Sequence, residues 1–580
     1  MDQEYLNSLR HSCAHLLAKA VLELYPGAKN AIGPSIDNGF YQDFDMGDVK
    51  ISNADLAKIE KKMREILPGW QKFIFNEVTL DEARKLFAHN PYKVELAVEF
   101  ANQGKKLSTN DPGGFLDLCK MGHVENPSKE LRHFKLQSVA GAYWRGSEKN
   151  QMLTRIYGTC WPTKQELDQY LEMIKQAEQR DHRKLGKELG LFVFSELVGP
   201  GMPLYTPKGA LIRKLIVQYS DELQSSIGYE RVHTPNINKA ELFKISGHYD
   251  KFKDDMLEVK SHYTAEQYFL KPMNCPQHTQ IYASQLRSYK DLPVRFCDDA
   301  NLYRDEKPGE LSGLTRLRCF SQDDGHCFCR EDQIEQEFSA VLGIIKQAME
   351  TYRMQYWIRL SLSDPAHPEL YLGDRAVWEK SEKILEGILK DNSIEYRKAE
   401  GEAAFYGPKM DLMARDAIGR EWQISTIQLD FNMPERFGLE YVDEQGNRKR
   451  PVMIHRAIVG SPERFMAILI EHFAGAFPTW LAPVQVSIVP VSADFIDPAR
   501  KLANDLRAQN VRVTLDDANE TVGKRIRNGE KQKIPYLLVI GEKEAKGTKL
   551  AVRIHGQKDT TTFTRKQFTN RVIEEIAARQ

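Results

Sequence analysis

The chain has 580 residues, 41% of them apolar and 28% charged, with 81 Lys+Arg against 81 Asp+Glu. Zero net charge excludes a histone-like protein or one built around an acidic tail, and at roughly 150 residues per domain the length suggests about four domains. No apolar run approaches the roughly 20 residues of a membrane span. The start, MDQEYLNSLRHSCAHLL, lacks the basic-then-apolar pattern of a signal peptide. No membrane association and a cytoplasmic location are therefore expected. Eight Cys are too sparse for a disulfide framework and, with 15 His, suit a reducing compartment in which some thiols serve metal binding or catalysis.

Residues 1–162 read as mixed α+β. A helix over 4–24 leads into the strand-and-turn sequence AIGPSIDNGFYQDFD. A connector helix is expected over 163–185, opened by the Thr163/Glu166 capping box, with apolar positions at helical spacing on an otherwise charged surface. Thr206-Pro207 then starts a helix that runs to Ile227, with Gly228 just past its end. A long α+β region fills 186–480. After PTWLAP, residues 481–580 alternate strands and helices, which predicts a small α/β domain with a largely parallel sheet. This last segment holds 18 basic against 12 acidic residues. Such a surplus hints at a polyanionic partner and is equally compatible with a solvated face.

Two segments carry an ordered set of charges. LYRDEKPGELSGLTRLRCFSQDD (302–324) reads as a strand with Arg304 and Glu306, a loop, and a strand with Arg316 and Arg318. IVGSPERF (458–465) is Gly-rich and places Arg464 on a helix. Guanidinium forks grip phosphates bidentately and stabilise charge at phosphorus during displacement of pyrophosphate, so the set suits adenylation. Any one Arg/Glu pair alone reads better as a surface salt bridge. Cys275, His326 and His455 adjoin these segments. One thiolate and two imidazoles leave a tetrahedral Zn²⁺ one open position, an arrangement for binding a substrate. In the N-terminal region His11 and His15 are four apart, hence on one helical face, and Cys119 and His123 are again four apart. This second set could hold another zinc, could be a hydrolytic pocket using His as acid and base, or could be core histidines with a buried thiol.

The 302–324 and 458–465 segments resemble motifs 2 and 3 of class II aminoacyl-tRNA synthetases, and the helix from 207 followed by YERVHTPNI resembles motif 1, the usual dimer interface. KPMNCP, SQDDGH, FYGPK, QLDF and PVMIHRAIVGSPERF narrow the resemblance to threonyl-tRNA synthetases, over nearly the whole chain. The resemblance implies an antiparallel-sheet catalytic domain (186–480) between an N-terminal α+β editing domain (1–162) with its connector (163–185) and a C-terminal α/β anticodon-binding domain (481–580). Against the resemblance, a form lacking the small ubiquitin-like domain that many bacterial members carry ahead of the HSCAH-bearing domain is expected.

The resemblance also implies roles. Arg304, Glu306, Arg316 and Arg464 would hold ATP and the adenylate, with Mg²⁺ accompanying ATP. Gln322, Asp324, Tyr406, Lys409, Gln423 and Gln428 would line the threonine and ATP site. Cys275, His326 and His455 would hold one zinc per chain, which takes the amino group and hydroxyl of threonine. Valine lacks the hydroxyl and is rejected, whereas serine differs by one methyl, worth about 1–3 kcal/mol at most. That deficit gives a second, hydrolytic site a purpose. His11, His15, Lys93, Asp117, Cys119 and His123 would form it, metal-free, and cut serine from mischarged tRNA(Thr). Asn519, Arg527, Glu544 and Arg553 match anticodon-reading positions, where guanidinium and short amides read splayed bases. Threonine, ATP, tRNA(Thr) and a second copy of the chain are the expected partners. Departures from the usual pattern are Gln277 in CPQH, Ile424 beside Gln423, DDAN at 298–301, and Gln42 where an aromatic often lines the editing pocket.

Overall fold

Asp2 opens the first helix, α1 (Gln3–Leu24), by accepting the Glu4 N–H at 3.0 Å. Its apolar face (Leu9, Cys13, Leu16, Leu17, Val21) is buried against a five-stranded antiparallel sheet whose three long strands are β1 (Gly39–Asp45), β2 (His133–Tyr143) and β3 (Met152–Trp161), with β3 between the other two. The computed structural model describes residues 2–119 and 122–580 and divides into two units, Met1–Lys175 and Gln176–Gln580. Among the described residues no helix is long and apolar enough to cross a membrane.

The capping box forms as the sequence predicts. Thr163 N–H donates to Glu166 Oε2 at 3.0 Å and Glu166 N–H to Thr163 Oγ1 at 3.2 Å, opening α2 (Lys164–Arg180). The helix does not reach residue 185, however. Asp181 leaves helical geometry (φ −47°, ψ 122°) and accepts the Arg183 N–H at 2.7 Å, so it caps a new helix, α3 (His182–Leu189). An Asp with a free N–H two residues on competes with the continuing helix, and here it wins.

In the second unit, α4 (Pro207–Ser226) is capped by Thr206 and closed by Gly228 at φ +83°, as expected. The central sheet has eight strands: β4 (Glu230–Arg231), β5 (Val294–Tyr303), β6 (Cys319–Cys329), β7 (Gln355–Leu362), β8 (Tyr396–Glu400), β9 (Lys409–Arg415), β10 (Glu421–Asp430) and β11 (Val452–Ala457). Their spatial order is β4-β5-β6-β11-β10-β9-β7-β8. Every pair is antiparallel except the two edge pairs, β4 with β5 and β7 with β8. A helix, α5 (Pro462–His472), follows β11, and its buried face joins the core beneath the sheet.

Two sequence expectations need correction here. Arg304, Glu306, Arg316 and Arg318 do not sit in strands: β5 stops at Tyr303 and β6 starts at Cys319. The ladder persists for one bond, Arg304 N–H to Arg318 O at 3.0 Å. It is then broken by a 3-10 turn at 308–310 and by Gly313 at φ +49°. In the C-terminal segment the strands are β12 (Val486–Pro490), β13 (Val513–Leu515), β14 (Tyr536–Ile540), β15 (Lys549–Ile554) and β16 (Thr560–Thr564), in the order β13-β12-β14-β15-β16. Only the first three are mutually parallel. The last two return as an antiparallel hairpin, since a few residues suffice to reverse the chain but not to cross over.

Candidate active site

The register of the central sheet aligns four polar residues in one cross-strand row. Lys409 faces Gln428, Gln428 faces His455, and His455 faces His326. Directly opposed residues project from the same face of a sheet, so all four point the same way. His326 Nε2 lies 3.0 Å from His455 Nδ1. Cys275, at the start of the helix Cys275–Ala283, brings its sulfur to them, so that the three ligand atoms lie within 4.8 Å of one another, all buried. Asp430 Oδ2 accepts from His455 Nε2 at 2.9 Å, and His278 Nδ1 lies 2.7 Å from His326 Nδ1. Each imidazole thus has its outer nitrogen held and its inner nitrogen turned toward the thiol, the pattern of a supported metal ligand. Burial, with His455 next, keeps the His326 imidazole well below its usual range, hence neutral and able to ligate. The donor set fits a zinc ion.

Beside this cluster, Asp324 is pushed up to about 7 by burial, and the neighbouring Asp323 and Asp298 add to that while Arg456 opposes it. Tyr406 stacks on His455 with ring centres 4.7 Å apart and donates its hydroxyl to Gln428 Oε1. Lys409 and Gln423 share one anchor. Lys409 Nζ lies 2.7 Å from Asp411 Oδ2 and Gln423 Nε2 donates to Asp411 Oδ1 at 2.9 Å, with Arg359 and Ser361 on the same carboxylate.

A cavity of about 320 Å³ is lined by Arg304, Glu306, Arg316, Gln322, Gln423, Gln428, Ile424 and Arg464. A second, of about 560 Å³, shares Arg304, Glu306, Arg316 and Gln428 and extends to Tyr406 and Met273. Burial lowers the affinity of both Arg304 and Arg464 for their protons, and at Arg304 the neighbouring Glu306 and Asp255 oppose it. Arg464 sits in the first turn of α5. Gly460 (φ +68°) makes the turn before it, and Ser461 caps it by accepting the Arg464 N–H at 3.3 Å. Arg316 is paired with Glu306 at 2.8 Å and Glu310 at 2.7 Å. Arg316 and Glu306, both expected from the resemblance to hold ATP, therefore hold each other in this structure. Asp323 ties the three motif segments together: its carboxylate accepts from Ile458 and Val459 N–H, both at 2.9 Å or less, and from Ser220 of α4 at 2.7 Å.

In the N-terminal unit the second polar set also converges. Cys119 Sγ lies 2.9 Å from His11 Nε2, 3.2 Å from His15 Nε2 and 3.4 Å from His123 Nε2. His15 Nδ1 is 3.1 Å from Asp117 Oδ2, and Lys93 Nζ is 2.6 Å from Asp117 Oδ1. Burial would raise the Cys119 thiol, but the charge of His15 and the three imidazole contacts hold it well below the usual range. Burial would lower His15, but the Cys119 thiolate and Asp117 bring it up to about 9. Both directions favour a thiolate facing an imidazolium. Phe73 stacks on His123 with ring centres 4.0 Å apart, Ser12 Oγ lies 3.2 Å from His123 Nδ1, and Asn30 donates to Asp117 at 3.1 Å. Gln42 is buried beside Gly33, whose carbonyl oxygen lies 3.0 Å from His11 Nδ1.

Of the C-terminal positions, Asn519 and Arg527 are exposed and Glu544 and Arg553 half-buried. Arg553 on β15 is 3.6 Å from Glu530, which shares the helix Val522–Lys531 with Arg527. On that same basic helix Arg525 turns inward and donates to the Asp516 and Pro490 carbonyls at 2.7 and 2.8 Å, so it serves the fold.

Residues 257–473 match the family described as the tRNA synthetase class II core domain (G, H, P, S and T), and residues 485–575 match the anticodon binding domain. The threonine–tRNA ligase of Rubrobacter xylanophilus is 48% identical over 580 residues, covering all of this chain and 90% of that protein. The chain belongs to the threonine–tRNA ligase family. The threonine–tRNA ligase of Gloeobacter violaceus is 46% identical over 591 residues, covering all of this chain and 94% of that protein. Among solved structures, the RNA binding domain of threonyl-tRNA synthetase from Cryptosporidium parvum is 35% identical with a TM-score of 0.64, covering 68% of this chain and 98% of that one.

Sequence reasoning about this threonine–tRNA ligase family member missed Asp430, His278, Asp411, Asn30, Ser12 and Phe73. His278 and Asp411 had local signals: His278 is three residues after Cys275 and hence on the same helical face, and Asp411 is two residues after Lys409 on one strand and hence on the same sheet face. Asp430, Asn30, Ser12 and Phe73 act on residues far away in sequence.

Proposed function

We propose that the protein is a threonine–tRNA ligase that forms threonyl-adenylate from threonine and ATP, transfers threonine to tRNA(Thr), and hydrolyses seryl-tRNA(Thr) in its N-terminal domain. The observation that carries the reading is the cross-strand row of Lys409, Gln428, His455 and His326 beside a cavity with Arg304 and Arg464. It supports a reading in which an amino acid and a nucleoside triphosphate would meet on one surface. Cys275, His326 and His455 would hold one zinc per chain, which when bound offers a Lewis-acidic position for the threonine amino group and hydroxyl. Asp430 and His278 orient its ligands. Arg304 would hold the carboxylate and α-phosphate, Glu306 the adenine amino group, and Arg316 and Arg464 the outer phosphates, with Mg²⁺ accompanying ATP. Arg316 must first leave Glu306. Asp324 and Tyr406 would take the threonine hydroxyl and amino group, and Gln322, Lys409, Gln423 and Gln428 complete the lining.

In the N-terminal set, His11, His15 and His123 would serve as acid and base around Cys119, with Asp117 and Lys93 fixing His15. Asn519, Arg527, Glu544 and Arg553 would read the anticodon. The domains would be 1–162 for editing, 163–185 as connector, 186–480 for catalysis and 481–580 for the anticodon. A cytoplasmic homodimer through α4 completes the reading. The test is threonine-dependent exchange of pyrophosphate into ATP without tRNA. A deacylase or a tRNA-binding regulator would show no exchange, and that result would overturn the ligase reading.

A further inference from the structure

His182 opens α3 and is buried, 4% exposed. Its Nδ1 lies 2.6 Å from Glu471 Oε1, and its backbone N–H donates to the same oxygen at 3.0 Å. A carboxylate only accepts, so Nδ1 carries the ring proton and Nε2 is the acceptor. That acceptor receives the backbone N–H of Leu314 at 3.0 Å. Glu471 is fixed in turn by Arg420 through its second oxygen, and Arg420 by Asp416 at 2.7 Å. Asp181, His182 and Glu471 lie close enough together for their side chains to share a metal ion. Arg183 holds Asp181, Arg420 holds Glu471, and both ring nitrogens are engaged, so the group is a clamp and offers a cation little.

What the clamp joins is specific. Leu314 stands two residues before Arg316, in the loop between β5 and β6 that lines the smaller cavity. Glu471 belongs to α5, the helix whose first turn carries Arg464, which lines the same cavity. Gly313 lies at φ +49°, and a Cβ there would stand 2.1 Å from His182 Nε2, so the loop passes the ring at a distance only glycine permits.

We propose that His182 is a positioning residue for ATP: it sets the Arg316-bearing loop in register with the Arg464-bearing helix. The proposal rests on the reading of Arg316 and Arg464 as phosphate-holding residues. Two guanidiniums that act on one triphosphate gain most when their separation is fixed before ATP arrives. The loop has left the sheet, so the Leu314 bond to His182 pins it between its ends.

The experiment uses the full chain in threonine-dependent pyrophosphate exchange. His182→Ala should raise the KM for ATP about tenfold while the KM for threonine moves less than about twofold. His182→Gln, whose amide can donate to Glu471 and accept from Leu314, should restore most of the ATP affinity. Hydrogen exchange of a peptide spanning 312–318 should quicken in His182→Ala and not in His182→Gln. If His182→Ala fails to fold, Gly313→Ala, which drives a methyl into the ring, should give the same ATP-specific rise. Unchanged ATP affinity, or both KM values rising together, would overturn the proposal. A wild type silent in exchange would instead overturn the ligase reading.

Discussion

His326 and His455 are direct cross-strand partners, with Nε2 of one 3.0 Å from Nδ1 of the other. They are 129 residues apart in sequence. Only the antiparallel pairing of β6 with β11 brings them together, and Cys275 reaches them from a separate helix. The two imidazoles, each anchored from behind by Asp430 or His278, face a thiol that burial pushes well above its usual range. A divalent cation reverses that effect by stabilising the thiolate.

One zinc per chain is therefore expected by elemental analysis of the purified protein, falling toward zero in Cys275→Ala. Absence of zinc in the wild type, or unchanged content in the variant, contradicts the assignment. A content near two would move His11, His15, Cys119 and His123 to a metal site.

Proofreading should separate from synthesis. His15→Ala should leave pyrophosphate exchange intact and accumulate seryl-tRNA, because the set around Cys119 lies in the other unit from the cavity with Arg304. Cys119→Ala should act in the same direction and more weakly. The measurement is hydrolysis of preformed seryl-tRNA. Failure of the wild type to exceed the buffer control returns the cluster to a structural role.

The thiolate–imidazolium pair also predicts a pH signature. His15 is raised to about 9, which alone gives stability that is full below its ordinary 6.5 and fades as pH rises through 9. Cys119 is lowered, which alone gives stability present above its ordinary value near 9 and fading as pH falls toward its native value. Between pH 6.5 and 9 the native pair and the unfolded pair hold the same number of protons, so the two slopes cancel. Cys119→Ala removes the thiolate that is the first cause raising His15, so the His15 imidazole, followed by NMR, should titrate well below 9 in the variant. An unchanged His15 titration would contradict the ion pair.

Two arginines of the C-terminal domain should behave oppositely. Arg553→Ala should weaken aminoacylation by roughly 1–3 kcal/mol and leave pyrophosphate exchange unchanged, since adenylation does not involve the anticodon. Arg525→Ala should instead lower thermal stability, because the Asp516 and Pro490 carbonyls lose a buried donor. Equal loss of both activities in Arg553→Ala would mark it as structural.

By itself the sequence determined what depends on neighbours within a few residues: the Thr163/Glu166 and Thr206 caps, the glycine turn at 228, and the identity of the charged and ligating residues in each motif. Those features are local because a cap or a left-handed turn is a choice among conformations of one short segment. The motifs also told which residues would meet, through their resemblance to a known family, but not how. Tertiary structure decided the register that lines up Lys409, Gln428, His455 and His326, and the helix break at Asp181. It also decided the departure of Arg304 and Arg316 from their strands, and the return of β15 and β16 as a hairpin. It alone placed Asp430 and Asn30 behind the residues they orient. A slip of one residue in strand pairing turns every side chain to the opposite face, and no local preference forbids it. The burial of whole sheets and helices against one another fixes that choice, so such contacts stay unwritten in any single segment.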